Sequence, residues 1–183
     1  YYIDKTKLIE QLLMNWGKVN LFTRPRRFGK TLNMSMFKSF FEIGTDKSVF
    51  DELYISRNKK LCNEHMGKYP VIFLTFKDIK FASWELTFAK IAELVQEEFG
   101  RHKELGTSEK LEPYEKDYFR KILAGQANEV ELSSSLQKLS KMLHEHYGKA
   151  PIIMIDEYDA PIQEGYSKKF YEEIVGFMWN FFS

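Results

Sequence analysis

A Gly-Lys-Thr sequence at positions 29 to 31 is the feature that most limits how this chain can fold. It follows the apolar residues Leu21 and Phe22, and a helical pattern begins directly after it. A loop of this kind, between a strand and a helix, directs backbone N–H groups and the positive end of the helix dipole towards a phosphate. The sequence therefore predicts a strand from Lys18 to Thr23, a phosphate-binding loop, and a helix that ends before Gly44.

The entry to this loop departs from the general pattern GxxxxGK[ST], because Arg24 stands at the first glycine position. Glycine permits a positive φ without steric cost and arginine does not, while Pro25 fixes part of the backbone. Arg26 and Arg27 add cations that can neutralise phosphate charge. Phe28 completes the segment before the glycine.

The end of the loop carries the residues with the most direct chemistry. Gly29 lets the backbone approach the phosphates, Lys30 can reach the β- and γ-phosphates, and the Thr31 hydroxyl can ligate Mg²⁺. A Gly-Lys-Thr sequence also occurs by chance, as a turn that begins a helix. Its context therefore decides between the two interpretations.

A second motif supplies that context. Four apolar residues, 152 to 155, are followed by Asp156 and Glu157. An Asp at the carboxyl end of a buried strand can hold the water shell of Mg²⁺ beside Thr31, and a neighbouring Glu can polarise a water for attack on the γ-phosphate. Two solvated acids at a strand end are common, but both motifs in this order are typical of a P-loop NTPase.

The remaining pattern favours an α/β fold. Residues 71 to 76 and 152 to 155 read as buried parallel strands, and apolar stripes predict helices between and after them. We expect a three-layer P-loop NTPase sandwich with a mainly parallel sheet. The stripes that predict the helices lie at residues 8–13, 32–41, 84–99, 113–123, 132–147 and 168–182, whereas residues 45–69 read as irregular, with an extended piece at 51–55.

Composition excludes several classes of protein. The chain has 183 residues and a formal net charge of +1, so no global basic field favours nucleic acid. Its apolar runs are too short to cross a bilayer, no signal peptide precedes the first element, and the single Cys62 rules out an internal disulfide. We expect a cytoplasmic protein without a membrane partner. Both termini read as cuts within a longer protein.

The motifs also bear on the class of NTPase. Glu157 favours an ATPase over a small-molecule kinase, which has no need to activate water. The guanine signature NKxD is approached only at Asn58-Lys59-Lys60, where the Asp is missing, so ATP is expected. Tyr1 and Tyr2 either stack on the base or are core aromatics. A nucleotide-responsive binding module with little turnover is the main alternative, and a small-molecule phosphotransferase is a weaker one.

With both motifs in view, the chain resembles the bacterial AAA-ATPase-like family. Members of that family usually carry the Arg-Pro-Arg-Arg-Phe form of the loop, so Arg24 is expected there. They typically continue into a region that resembles PD-(D/E)XK nucleases, which is missing here. The resemblance is carried by four segments, at residues 2–6, 22–31, 69–72 and 155–161.

The resemblance implies roles for particular residues. Arg24, Pro25, Arg26, Arg27, Phe28, Gly29, Lys30 and Thr31 would contact the nucleotide, with Lys30 and Glu157 catalytic and Thr31 and Asp156 holding Mg²⁺.

The resemblance also implies how the chain is organised. Residues 1–183 would be the N-terminal part of a single AAA-like P-loop ATPase domain, incomplete at its C-terminal side. The sensor strand and the arginine finger would lie outside it. We expect this segment to bind nucleotide weakly at best. A downstream nuclease-like domain, nucleic acid through that domain, and an oligomer are the partners that the resemblance suggests.

Overall fold

The computed structural model describes residues 3–23 and 29–183, which form mostly α-helices together with a sheet of two parallel strands. The α/β prediction is confirmed at this level. Contacts divide the chain into two compact units, Tyr1–Val71 and Ile72–Ser183, and each is described by itself. In chain order the elements are α1 (Lys7–Met14), α2 (Lys30–Phe41), α3 (Lys59–His65), β1 (Val71–Thr75), α4 (Trp84–Arg101), α5 (Pro113–Leu123), α6 (Glu129–Ser133), α7 (Ser135–Tyr147), β2 (Ile152–Asp156), α8 (Asp159–Lys168) and α9 (Tyr171–Phe181).

Phenylalanines from α2 form the core of the N-terminal unit. Phe37, Phe40 and Phe41 lie at helical spacing on its buried face, as the sequence pattern predicted. The ring of Phe40 packs edge-to-face on Phe41 and on Phe50, with centroids 5.1 and 5.4 Å apart. Such contacts stabilise a core beyond the apolar area that they bury.

The predicted strand from Lys18 to Thr23 is wrong, because these residues form a bend and irregular chain. Val19 is 89% exposed, and the Asn20 amide closes a local turn by donating to the Gly17 carbonyl. The sheet in the described part of the chain consists of β1 and β2. An apolar run becomes a strand only where another strand accepts its hydrogen bonds, and none of the residues that the structure describes does so for this segment.

The region from residue 45 to 69 is more regular than predicted. It contains α3 and the 3-10 helices Lys47–Phe50 and Tyr54–Arg57, so the extended piece predicted near Asp51 is wrong. Asp46 and Asn58 cap two of these short helices with their side chains. Single-turn helices carry too few apolar residues to show a period, and for this reason the sequence pattern missed them.

The C-terminal unit packs its helices around β1 and β2. Most residues of β1 are buried, whereas Ile153 in β2 is exposed, so β2 is not covered on both faces as predicted. The side chain of Ser83 caps α4, and Pro113 is the first residue of α5. Helix α4 continues to Arg101, beyond the stripe at 84–99 that predicted it, and a 3-10 helix follows at Lys103–Thr107.

In the structure one predicted helix is divided, and another is preceded by a helix that was not predicted. The stripe from 132 to 147 is carried by α6 and α7, which meet at Ser134. The last helix is α9, and α8 precedes it where the sequence pattern predicted no helix. Lys169 separates α8 from α9 with a φ of 68°, which allows the two helices to fold back on each other. In the described ranges we find no helix long and apolar enough to span a membrane.

Candidate functional site

The predicted phosphate loop ends in a helix start that suits an anion. Gly29 has a φ of 74° and stands directly before α2, in the left-handed region that glycine adopts without strain. The backbone N–H of Asn33 donates to the Gly29 carbonyl at 3.0 Å, which is the first hydrogen bond of the helix. Within the described residues no side chain caps this helix and no acidic residue lies in its first turn. The positive end of the helix dipole is therefore not offset by a carboxylate there.

Lys30 and Thr31 are the first two residues of α2. Lys30 is half-buried, Thr31 is exposed, and the Ser35 hydroxyl donates to the Thr31 carbonyl at 3.0 Å. The five preceding loop residues lie outside the described residues, and the roles predicted for them stay predictions: Arg24, Pro25, Arg26, Arg27 and Phe28.

Sequence reasoning missed a lysine beside this loop. The Nζ of Lys5 lies 3.5 Å from the point that a Cβ would occupy at Gly29. Its two neighbours in the chain, Asp4 and Thr6, bind the backbone of residues 54 and 55. Asp4 Oδ2 accepts from the Tyr54 N–H at 2.7 Å, and the buried Thr6 Oγ1 accepts from the Ile55 N–H at 3.1 Å.

The hydrogen bonds of Asp4 also fix its protonation state. Burial alone raises the pKa of the Asp4 carboxyl, but hydrogen bonds from Thr6 and Tyr54 and the charge of Arg57 outweigh it. The pKa therefore lies below its ordinary value. An ionised Asp4 is thus part of what holds the segment around Lys5 in place.

The acidic motif lies at the carboxyl end of β2. Asp156 is the last residue of that strand and is 3% exposed, and its backbone carbonyl accepts from the Phe76 N–H at 2.9 Å. Glu157 follows with a φ of 52°. A left-handed conformation is uncommon for glutamate, and such strain tends to collect at functional sites.

The residues after Glu157 begin α8. Tyr158 holds the cap position of this helix, and Asp159 is its first residue. Its carboxylate accepts from the Gln163 amide, one turn further along, at 2.9 Å. Asp159 therefore supports the first turn of α8 from within the helix, where a negative charge complements the dipole.

The predicted site residues fall in the two compact units. Gly29, Lys30 and Thr31 belong to the N-terminal unit, and Asp156 and Glu157 belong to the C-terminal unit. The first three residues lie at the start of α2, and the two acids lie at the end of β2. The predicted pairing of Thr31 with Asp156 around one metal ion stays a prediction.

The donor chemistry of the two halves suits magnesium. Mg²⁺ prefers hard oxygen ligands and is commonly bound through one or two side chains together with phosphate oxygens and water. Thr31 offers a hydroxyl and Asp156 a carboxylate. The described residues contain no group of three or more His, Cys, Asp or Glu that could hold a metal by themselves. Cys62 instead donates its thiol to the Ile55 carbonyl, and burial raises its pKa.

A charged cluster outside the predicted site is buried in the C-terminal unit. Glu98 on α4 is 4% exposed and accepts from the Phe73 N–H at 3.0 Å and from the Arg101 guanidinium at 2.8 Å. His102 Nε2 lies 3.2 Å from the same carboxylate. Burial alone raises the pKa of Glu98, but the hydrogen bond from His102 and the charge of Arg101 outweigh it and hold the pKa below its ordinary value.

The Gly-Lys-Thr sequence at the start of α2 and the acidic end of β2 are the two elements on which the prediction of a P-loop nucleotide-binding protein rests. Comparison with known proteins places the chain more narrowly. The sequence model of the AAA-ATPase-like family, described as "predicted AAA-ATPase", matches residues 1–183, and the chain belongs to that family. No curated protein matches the chain, and no solved structure does.

Proposed function

We propose that this chain is an ATP-binding P-loop module whose full-length protein hydrolyses ATP with Mg²⁺ and couples hydrolysis to a conformational change. The observation that carries the proposal is the left-handed Gly29 directly before α2, with Lys30 and Thr31 as the first helical residues. Membership of a family of predicted ATPases supports it. A complete P-loop sandwich is the fold that this proposal entails.

The residues of the loop would bind and orient the triphosphate. Backbone N–H groups at the start of α2 and its dipole would hold phosphate oxygens, and the Lys30 ammonium would contact the β- and γ-phosphates. Thr31 and Asp156 are the residues that would hold Mg²⁺, which when bound supplies charge that offsets the phosphate oxygens. No covalent intermediate is needed, since positioning and electrostatics account for most catalysis of phosphoryl transfer.

Glu157 would act as the general base. Its carboxylate would orient a water and take one of its protons as the water oxygen forms a bond to the γ-phosphorus. The bond between that phosphorus and the β–γ bridging oxygen breaks, so that ADP and phosphate leave. The left-handed backbone of Glu157 supports this role, because backbone strain of this kind clusters at functional sites.

Nucleotide binding with and without Mg²⁺ tests the proposal. We expect wild type to bind ATP more tightly with Mg²⁺, and Lys30→Ala to weaken binding by about tenfold or more, because it removes a charge-assisted contact to phosphate. Lys60→Ala, at an exposed lysine of α3, is the matched control and should leave affinity unchanged. Equal affinities for wild type and Lys30→Ala would refute the phosphate site.

A module with little turnover is the second candidate, and it is favoured by the segment at residues 18–23, which is exposed and has no strand partner within 3–23 and 29–183. A phosphate loop that no strand supports is less rigidly positioned for catalysis. In that case ATP binding would regulate a nuclease-like partner domain, and nucleic acid would be reached through that domain. ATP turnover by the full-length protein and its Glu157→Gln variant separates the two, since equally slow hydrolysis by both would favour the binding module.

A further inference from the structure

The backbone of Lys5 is held in place by hydrogen bonds of its two neighbours in the chain, Asp4 and Thr6. Asp4 Oδ1 accepts from the backbone N–H and the hydroxyl of Thr6, at 2.8 and 2.7 Å. Through Tyr54 and Ile55 the same two side chains fasten the segment to a 3-10 helix about 50 positions further along the chain. The backbone of Lys5 is thus fixed on both sides, while its side chain extends towards Gly29.

The ammonium of Lys5 has no carboxylate partner among residues 3–23 and 29–183. It is half-buried, and it lies beside a glycine that has no side chain and that directly precedes the start of α2. A lysine that is positioned by two anchors but neutralised by no acid is suited to an anion that arrives from solution.

A groove of about 440 Å³ continues from Lys5 along the exposed side of α2. This volume falls in the usual range for sites that bind small molecules. Its wall is largely apolar, with the Asn33 amide and two serine hydroxyls as the polar groups. The lining residues are Ile3, Lys5, Leu32, Asn33, Ser35, Met36, Ser39, Val49, Phe50 and Leu53.

We infer that Lys5 is a second phosphate-binding lysine and that the groove beside it holds the base of the nucleotide. This inference rests on the proposed function, since it names the subsite for the remainder of the same ligand. Lys5 both lines the groove and lies beside Gly29, so it connects the residue that precedes α2 with the apolar side chains of the groove.

The chemistry of this surface matches the two ends of a nucleoside triphosphate. Two lysines, Lys5 and Lys30, complement the polyphosphate. The flat faces of a base suit contact with Ile3, Leu32 and Met36, while an amide such as that of Asn33 can both donate to and accept from a base edge.

Binding of ATP and of inorganic tripolyphosphate, measured by calorimetry in Mg²⁺ buffer, separates the two contacts. Lys5→Met is expected to weaken both ligands by about tenfold, because it removes a charge-assisted contact that they share. Leu32→Ala is expected to weaken ATP by about fivefold and leave tripolyphosphate unchanged, because it removes apolar contact with the base alone.

Two matched controls test whether a change in net charge or in helix stability is enough to weaken binding. Lys60→Met removes a lysine from the exposed face of α3, and Leu86→Ala truncates a leucine of α4 that is 55% exposed, compared with 60% for Leu32. Both controls should bind both ligands as wild type does. Circular dichroism should be the same for all four variants, since none of the four replaced side chains is buried.

The outcomes distinguish this inference from the function on which it rests. ATP binding that is lost in Lys30→Ala but unchanged in Lys5→Met and Leu32→Ala would overturn the inference alone. Equal weakening of tripolyphosphate by Leu32→Ala would overturn the assignment of the groove to the base. A wild-type chain that binds neither ligand would overturn both proposals.

Discussion

At the scale of single residues, the backbone of Glu157 is the least expected feature of the candidate site. A left-handed conformation brings Cβ close to the following carbonyl oxygen and is unfavourable by roughly 1–2 kcal/mol for residues other than glycine. The strand end before it and α8 after it fix this conformation. The sequence pattern predicted the acid and its chemistry, but a backbone angle of this kind leaves no trace in composition or period.

This strain predicts that glycine is more stabilising than alanine at position 157, the reverse of their order within a helix. At position 157, Glu157→Gly should be more stable to denaturant than Glu157→Ala by about 1 kcal/mol, because only alanine keeps the clash. At Glu97, which is exposed in the middle of α4, the order should reverse by about 1 kcal/mol, because glycine is the poorer helix former. Urea unfolding of the four variants measures both differences. If the alanine variant is the more stable one at position 157 as well as at position 97, Glu157 is not strained.

Thr6 is the second residue whose role can be isolated. It is fully buried, and its hydroxyl is both the acceptor for Ile55 and a donor to Asp4. Thr6→Val keeps the shape but leaves the Ile55 N–H without its acceptor, so we expect a loss of about 1–3 kcal/mol in the free energy of unfolding. Thr6→Ser keeps the hydroxyl and should lose about 1 kcal/mol through its missing methyl. If the valine variant is the more stable of the two, the hydrogen bond does not anchor the segment.

At the scale of elements, periodicity predicted those helices whose own sequence carries a complete apolar stripe. Helices α2, α4 and α5 are of this kind, and their capping glycine, serine or proline marked one end of each. The strand at residues 18–23 failed for the opposite reason, since a strand depends on partners elsewhere in the chain. Lys5 was missed likewise, because its position follows from hydrogen bonds to residues about 50 positions away. The pair Asp4 and Thr6 around it was the only local signal.

Helices α8 and α9 meet at a glycine, which makes their packing testable. A Cβ at Gly165 would lie 2.6 Å from Ile174 Cγ2 and 3.3 Å from the Phe170 carbonyl, whereas at Gly176 in α9 it would meet nothing within 4 Å. Gly165→Ala should therefore destabilise the protein by about 1–3 kcal/mol through overpacking. Gly176→Ala should stabilise it by about 0.5–1 kcal/mol, as alanine does in a helix.

Thermal unfolding of the two alanine variants compares them directly. We expect the midpoint to fall for Gly165→Ala and to rise for Gly176→Ala. A rise for both would mean that Ile174 moves away without loss and that α8 and α9 are not closely packed.

At the scale of the whole molecule, buried carboxylates connect the layers of the C-terminal unit. Glu98 joins α4 to β1 through the Phe73 N–H. Glu115 on α5 accepts from the Lys141 ammonium of α7 at 2.8 Å, and although burial raises its pKa, this lysine and the backbone of Glu112 lower it below its ordinary value. Both groups therefore favour the folded state in their ionised form.

The lowered pKa of Glu98 fixes the direction of the pH dependence. Below the ordinary glutamate pKa of 4.5 the unfolded chain binds a proton that the folded chain does not, so stability rises with pH in that window. The contribution of Glu98 is present in full above that value and is lost as the pH falls through the lower pKa of the folded state. Removing the charge of Glu98 should therefore lower the free energy of unfolding near neutral pH, and the loss should become progressively smaller in acid.

Glu98→Gln tests this directly. At pH 7 we expect it to lower the free energy of unfolding by about 2 kcal/mol, because hydrogen bonds from Arg101 and His102 lose a charged acceptor. The difference from wild type should shrink as urea unfolding is repeated at pH values from 7 towards 3. Glu97→Gln, at the exposed neighbouring position, is the matched control and should stay close to wild type throughout. A difference that is the same at pH 7 and pH 3 would mean that Glu98 stabilises the fold through shape and neutral hydrogen bonding, and that its ionisation contributes nothing.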